Sequence, residues 1–163
     1  MAEMYKVALL LGTNIGEREE NLKKAAELIA EKAGSIIQES KIYATAPWGK
    51  QDQPQYLNQA LLLQTWLEPE ALLYILLEIE QEMGRVREEK WSARIIDIDI
   101  LLMEDKVIAS ETLTVPHPHL QHRNFTLYPL NEIAPDWEHP TLKKTVNELL
   151  KESADSGEVI IHT

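Results

Sequence analysis

Ile95-Ile96-Asp97-Ile98-Asp99-Ile100-Leu101-Leu102 is the most strongly β-patterned run in the chain and predicts a strand from Ile95 to Met103. Its neighbours say what kind of sheet it joins. Upstream, Leu72, Leu73, Leu76, Ile79 and Met83 recur at helical spacing between Pro69, which suits a first helical turn, and Gly84, which stops the helix. Before that, Tyr56 to Leu67 reads as a strand whose period of two puts Tyr56, Asn58 and Ala60 on one face. Pro47, Gly49 and Pro54 mark a loop from Thr45 to Pro54, and Ile36 to Tyr43 reads as another strand. An amphipathic helix carrying Leu22, Ala25, Ala26, Ile29 and Ala30 precedes it, with Glu17, Glu19 and Glu20 near the positive end of its dipole and Gly34 at its close. The first strand is Val7-Ala8-Leu9-Leu10-Leu11, ending at Gly12. The order strand–helix–strand–strand–helix–strand is the split βαβ pattern. It predicts an α+β, ferredoxin-like sandwich, an antiparallel sheet with helices on one face and the active site on the loop-lined other face. Beyond Met103, prolines punctuate the chain around a short helix near His122 to Leu130, and a last helix is expected from Thr145 to Lys151.

The 163 residues fit one domain, 1–163, and a composition of 44% hydrophobic and 26% charged residues suits a packed core. No cysteine is present, which removes thiolate metal sites and cysteine nucleophiles. The start of the chain lacks the pattern of a secretory signal and no run is long enough to span a bilayer, so a cytoplasmic protein is expected. A net charge of −11 disfavours nucleic acid and anionic membrane as partners. Against that acidic background, Arg85, Arg87, Lys90 and Arg94 crowd into one segment, either a solvated loop or a place to hold a small anion.

On the strand, Asp97 and Asp99 project from one face and Ile96, Ile98 and Ile100 from the other. Two carboxylates side by side repel, and a divalent cation relieves that repulsion; hard oxygen ligands suit magnesium. An ordinary polar strand face is the plainer alternative. The arginine-rich segment that feeds into the strand favours the first reading, because magnesium is usually held by few carboxylates together with substrate phosphates. Trp91 is either part of a mobile lid over residues 85–94 or an anchor on the core, and the loop from Thr45 to Pro54 is expected to order with it on binding.

Val115-Pro116-His117-Pro118-His119, with His122 and Arg123, forms a second cluster. Pro118 and the lack of cysteine make zinc a poor fit. His117 is the candidate for contacting a phosphate oxygen, whereas His119 and His122 read as surface residues. Tyr56, Asn58 and Phe125 would suit a flat heterocycle, aromatic faces for stacking and an amide for its edge, although Tyr56 and Phe125 also read as core. Gly12-Thr13-Asn14-Ile15-Gly16 is neither a P-loop nor a dinucleotide fingerprint, and reads as a tight connection with Asn14 satisfying backbone groups.

These segments together resemble the 6-hydroxymethyl-7,8-dihydropterin pyrophosphokinase family. The collinear motifs are Leu11-Gly12-Thr13-Asn14-Ile15-Gly16, Tyr43-Ala44-Thr45-Ala46-Pro47, Asp52-Gln53-Pro54-Gln55-Tyr56-Leu57-Asn58, Gly84-Arg85-Val86-Arg87, Trp91-Ser92-Ala93-Arg94, Ile96-Asp97-Ile98-Asp99-Ile100, Leu113-Thr114-Val115-Pro116-His117-Pro118, Arg123-Asn124-Phe125 and Pro129-Leu130-Asn131-Glu132-Ile133-Ala134-Pro135. The resemblance implies transfer of diphosphate from ATP to the hydroxymethyl group of the dihydropterin, with release of AMP, in folate biosynthesis. It implies two magnesium ions on Asp97 and Asp99, and ATP as co-substrate. Arg85 and Arg94 would stabilise charge at the transferring group, and His117 and Arg123 would hold phosphate oxygens. Arg87, Trp91, Ile100 and Thr114 would lie nearer the nucleotide. Tyr56 and Phe125 would sandwich the pterin while Thr45 and Asn58 read its edge. A monomer with small-molecule partners only is expected.

The chain departs from the family pattern at Ser92-Ala93, where Gly-Pro is common, at Ala46, where proline is common, at Pro118, where some members carry an aromatic or polar residue, and at Lys90, often arginine. Two other functions fit parts of the pattern: a metal-dependent phosphohydrolase built on the same acids, and a non-catalytic ferredoxin-like module that binds a ligand.

Overall fold

The computed structural model describes residues 4–45, 55–84 and 95–162. In chain order it contains β1 (Tyr5–Thr13), α1 (Arg18–Lys32), β2 (Ser35–Glu39), β3 (Tyr43–Thr45), β4 (Tyr56–Thr65), α2 (Pro69–Glu82), β5 (Asp97–Met103), β6 (Ile108–Ala109), β7 (Thr114–Val115), α3 (Asn124–Ile133), α4 (Val146–Glu152) and β8 (Val159–Ile161). The main sheet is antiparallel throughout and runs β5-β1-β4-β3-β8, with β2 also pairing with β4. Taking β2 and β3 as one interrupted strand, this is the ferredoxin-like order predicted by the split βαβ pattern. Among the described residues, no helix is long and apolar enough to cross a membrane.

The interruption has a local cause. The predicted strand from Ile36 to Tyr43 shifts register between Ile36 and Gln38 and breaks around Ser40. There Ser40 N–H donates to Ala60 O at 2.9 Å, and Ser40 Oγ accepts from Ala60 N–H at 2.9 Å, so a side chain carries a rung of the ladder. The chain resumes as β3, which is thereby free to pair with β8.

Two cores lie on opposite faces of the sheet. Val7, Leu9 and Leu11 of β1, with Leu57, Leu61 and Leu63 of β4, pack against Leu22, Ala25 and Ile29 of α1 and Leu72, Leu76 and Ile79 of α2. Most of these side chains are fully buried, each contributing about 1.5–3 kcal/mol. The other face is not covered by loops alone. Ala8, Leu10, Leu101 and Leu102 meet Leu127 and Leu130 of α3 and Val146 and Leu149 of α4. Because both faces of β1 are covered, its sequence is a continuous apolar run rather than an alternating one. Alternation also slips on β5, where the pairing with β1 shifts register opposite Ala8 and Leu9. Ile98 and Ile100 join the first core and Leu101 and Leu102 the second.

Capping explains where α4 starts. Thr145 Oγ1 accepts from Glu148 N–H at 3.2 Å and Thr145 N–H donates to Glu148 Oε1 at 2.9 Å, a reciprocal capping box. The tight connection after β1 is held by Asn21 rather than by the expected Asn14. Its amide donates to Ile15 O at 2.9 Å and to Thr13 Oγ1 at 3.3 Å.

Candidate active site

A cleft of about 820 Å³ opens on the face that carries α3 and α4, at the end of the sheet where β1 finishes. The register of the strands lays out its floor. Gly12 of β1 pairs with Asp97 of β5 on one side and with Asn58 of β4 on the other. Leu10 pairs with Asp99, and Thr45 of β3 pairs with Tyr56 of β4. All seven of these residues line the cleft. The acid pair and Asn58 are two strand spacings apart, roughly 10 Å. That separation suits a ligand with an anionic part over β5 and a flat polar part over β4 and β3.

Gly12 suits this packing. A Cβ there would stand 2.8 Å from Asn58 Nδ2. Asn58 is buried, and its Nδ2 donates to Leu11 O at 3.2 Å, which fixes the plane of the amide over the glycine. Asp97 is half-buried and Asp99 exposed, while Ile98 between them is buried on the opposite face, as strand periodicity predicts. Two carboxylates that share a strand face and a cleft are a donor set that fits a hard divalent cation.

Glu80, which sequence reasoning missed, supports that strand from behind. It is a buried acid on α2, and its Oε2 accepts the Ile98 N–H at 2.7 Å. The signal was available, because Glu80 falls on the same stripe as Leu72, Leu76 and Ile79 of α2 and its C-cap Met83. Glu80→Ala leaves a buried amide without this acceptor and is expected to lower stability by about 1–3 kcal/mol. Glu80→Gln, which keeps an acceptor, is expected to recover most of it. Calorimetric melting of both variants checks this, and an Ala variant as stable as the parent would show that the bond contributes nothing.

The far wall comes from α3. Arg123, at its N-cap, and Phe125, in its first turn, both line the cleft. The Arg123 guanidinium carbon lies 5.5 Å from the Phe125 ring centroid, a cation–π contact. Phe125 is half-buried and packs partly against the second core, so the core and site readings of this residue both hold.

His117 is half-exposed and does not itself line the cleft. Burial holds its pKa below the ordinary histidine value, and the charges of Arg123 and His119 add to the effect. Its Nδ1 accepts the His119 N–H at 3.1 Å, so the neutral ring carries its proton on Nε2 and can donate there. Thr114 and Ile100 also lie off the cleft wall: Thr114 is exposed on β7, and the Ile100 side chain is buried in the first core. Any nucleotide contact at Ile100 would therefore use its backbone. His122, read from sequence as a surface residue, is exposed but stands at the cleft. Arg85, Arg87, Trp91 and Arg94, with the expected lid over residues 85–94 and most of the loop from Thr45 to Pro54, lie outside the described residues.

Residues 8–135 match the model of the 7,8-dihydro-6-hydroxymethylpterin-pyrophosphokinase family. The chain belongs to this family. Relatives named 2-amino-4-hydroxy-6-hydroxymethyldihydropteridine pyrophosphokinase include one from Methylorubrum extorquens, 43% identical over 82% of this chain and 85% of its own length. Another, from Aquifex aeolicus, is 41% identical over 92% of this chain and 93% of its own. Among solved structures, the wild-type HPPK-DHPS of Plasmodium falciparum, crystallised with STZ-DHP, superposes with a TM-score of 0.75 at 20% identity. That match takes in 92% of this chain but 43% of the Plasmodium chain, and it shows the pyrophosphokinase-domain fold.

One part of the cleft lies beyond the family match. Asp155, Gly157, Glu158 and Val159 line it from the C-terminal segment, to which the sequence reading assigned no role. Val159-Ile160-Ile161 is β-branched throughout, a weak strand signal that only the free edge of β3 turns into β8.

Proposed function

We propose that this chain transfers the diphosphate of ATP to the hydroxymethyl oxygen of 6-hydroxymethyl-7,8-dihydropterin and releases AMP. The observation that carries the reading is the layout of one cleft, with paired carboxylates over β5 at one end and an amide, two aromatic rings and Thr45 at the other. Family membership supplies the chemistry that such a layout serves.

In this reading Asp97 and Asp99 hold two magnesium ions. When bound, these supply charge neutralisation at the phosphate oxygens and align the triphosphate. Arg123 holds phosphate oxygens from the α3 side, with His117 donating from Nε2 in support. Arg85 and Arg94 stabilise charge at the transferring group, and Arg87 and Trp91, with Thr114 and the Ile100 backbone, lie nearer the nucleotide. Tyr56 and Phe125 stack the pterin, and Asn58 and Thr45 read its polar edge. The hydroxymethyl oxygen then forms a bond to the β-phosphorus as the bond from that phosphorus to the α-phosphate oxygen breaks, AMP leaves, and the hydroxyl proton passes to solvent. Positioning and electrostatics carry the rate, with no general base required.

Incubation with ATP, magnesium and 6-hydroxymethyl-7,8-dihydropterin is expected to yield AMP and the pterin diphosphate, each dependent on the other substrate. ADP as the product would overturn the reading. Phosphate released at full rate without pterin would favour a phosphohydrolase, and no turnover at all a binding module.

A further inference from the structure

Residues 153–161 form a strap along one side of the cleft, wholly outside the segment 8–135 that matches the family. At one end, β8 pairs with β3, with Val159 opposite Thr45. At the other, Asp155 holds the start of α3. Its Oδ2 accepts the Asn124 N–H at 2.8 Å, and its main-chain oxygen accepts from the Asn124 amide at 2.9 Å. Its Oδ1 accepts the Gly157 N–H at 2.8 Å and so closes the strap's own turn.

The start of α3 needs such a partner. Its N-cap is Arg123, whose side chain makes no capping bond, so local sequence leaves the first helical N–H groups without the usual acceptor. Asp155, 31 residues away, supplies one, and its negative charge suits the positive end of the helix dipole. The bonded residue, Asn124, stands between Arg123 and Phe125, the two side chains that α3 presents to the cleft. The strap therefore ties the wall bearing Phe125 to the edge bearing Thr45.

We propose that Asp155 is a positioning residue for the pterin end of the cleft, fixing the separation of its two walls before the ligand arrives. The inference rests on the pterin reading above. Walls held in place in advance lower the ordering cost of binding, and the ligand that feels this most is the one lying between α3 and β3, whereas the one over β5 meets the start of α3 through Arg123 alone.

The test compares the parent with Asp155→Ala and Asp155→Asn. Titration calorimetry measures 6-hydroxymethyl-7,8-dihydropterin binding in the presence of magnesium and a non-hydrolysable ATP analogue, and binding of the analogue alone. Steady-state rates and melting temperatures accompany both. Loss of a cap and its alignment is expected to weaken pterin binding about tenfold in Asp155→Ala, with KM for the pterin rising and kcat retained. Analogue affinity should fall clearly less than pterin affinity, because Arg123 loses support but keeps its charge, and Asp155→Asn, whose amide oxygen still accepts the Asn124 N–H, should recover part of the loss. Faster amide exchange at residues 124–127 in the ligand-free Ala variant should accompany these changes. Parent-like pterin affinity in Asp155→Ala overturns the inference. So does a parallel loss of pterin and analogue binding with a lowered melting temperature, which would make Asp155 a general stabiliser. A parent chain that forms no AMP overturns the functional reading itself, before any variant is made, whereas parent turnover with an indifferent Asp155→Ala removes this inference alone.

Discussion

Asp97→Ala is expected to lower turnover by roughly three orders of magnitude, about 4 kcal/mol of transition-state stabilisation, while pterin binding stays measurable. The two halves of this expectation come from different strands. Asp97 and Asp99 share one face of β5 and line the cleft, and in the proposed reading removal of either carboxylate takes away half of that donor pair where magnesium would neutralise triphosphate charge. Asn58 and Tyr56 stand on β4, two strand spacings away, and Phe125 on α3, so the proposed stacking and edge contacts should survive. Asp97→Asn keeps the shape and one neutral oxygen donor, and is expected to fall between the parent and the Ala variant. Turnover at saturating magnesium, read beside pterin affinity and melting temperature, checks the prediction. Near-parent turnover in Asp97→Ala would detach the acid pair from catalysis, and loss of pterin binding in step with turnover would point to a disturbed sheet instead.

The parts of this site that sequence made legible are those governed by strand periodicity. A period of two on β5 and β4 is enough to put Asp97 with Asp99, and Tyr56 with Asn58, and the register across Gly12 then brings both pairs into one cleft. The order of elements likewise gave the sheet, because split βαβ connectivity leaves few alternatives. What stayed hidden depends on contacts between distant segments. Glu80 is ordinary as a glutamate in a helix, and its meaning comes from the Ile98 N–H beneath it. Asp155 lies in a stretch without periodicity, and only the uncapped start of α3 gives it a role. The second core was missed for a related reason: α3 and α4 are short, and nothing in their own sequence says which face of the sheet they cover. Four of the residues carried over by family resemblance, Arg85, Arg87, Trp91 and Arg94, remain proposals from sequence alone.

Phe125→Ala is expected to weaken pterin binding by about 1–3 kcal/mol, the usual contribution of a ring stacked on a heterocycle. The difficulty is that Phe125 belongs to two environments. Part of the ring packs on the second core, so truncation also removes buried apolar surface, and the Arg123 guanidinium at 5.5 Å loses the face it stacks on. A fall in affinity after truncation alone could therefore reflect a loosened α3. Phe125→Leu separates the two contributions. It keeps most of the aliphatic packing and removes the aromatic face, so it should melt close to the parent yet bind the pterin nearly as poorly as Phe125→Ala. ATP-analogue affinity should fall less than pterin affinity in both variants, because Arg123 loses support but not its charge. Calorimetric titration of each ligand, with melting curves for both variants, gives the comparison. If Phe125→Leu bound the pterin like the parent, the ring would be a packing residue at the cleft edge, and Tyr56 alone would have to supply the stacking surface.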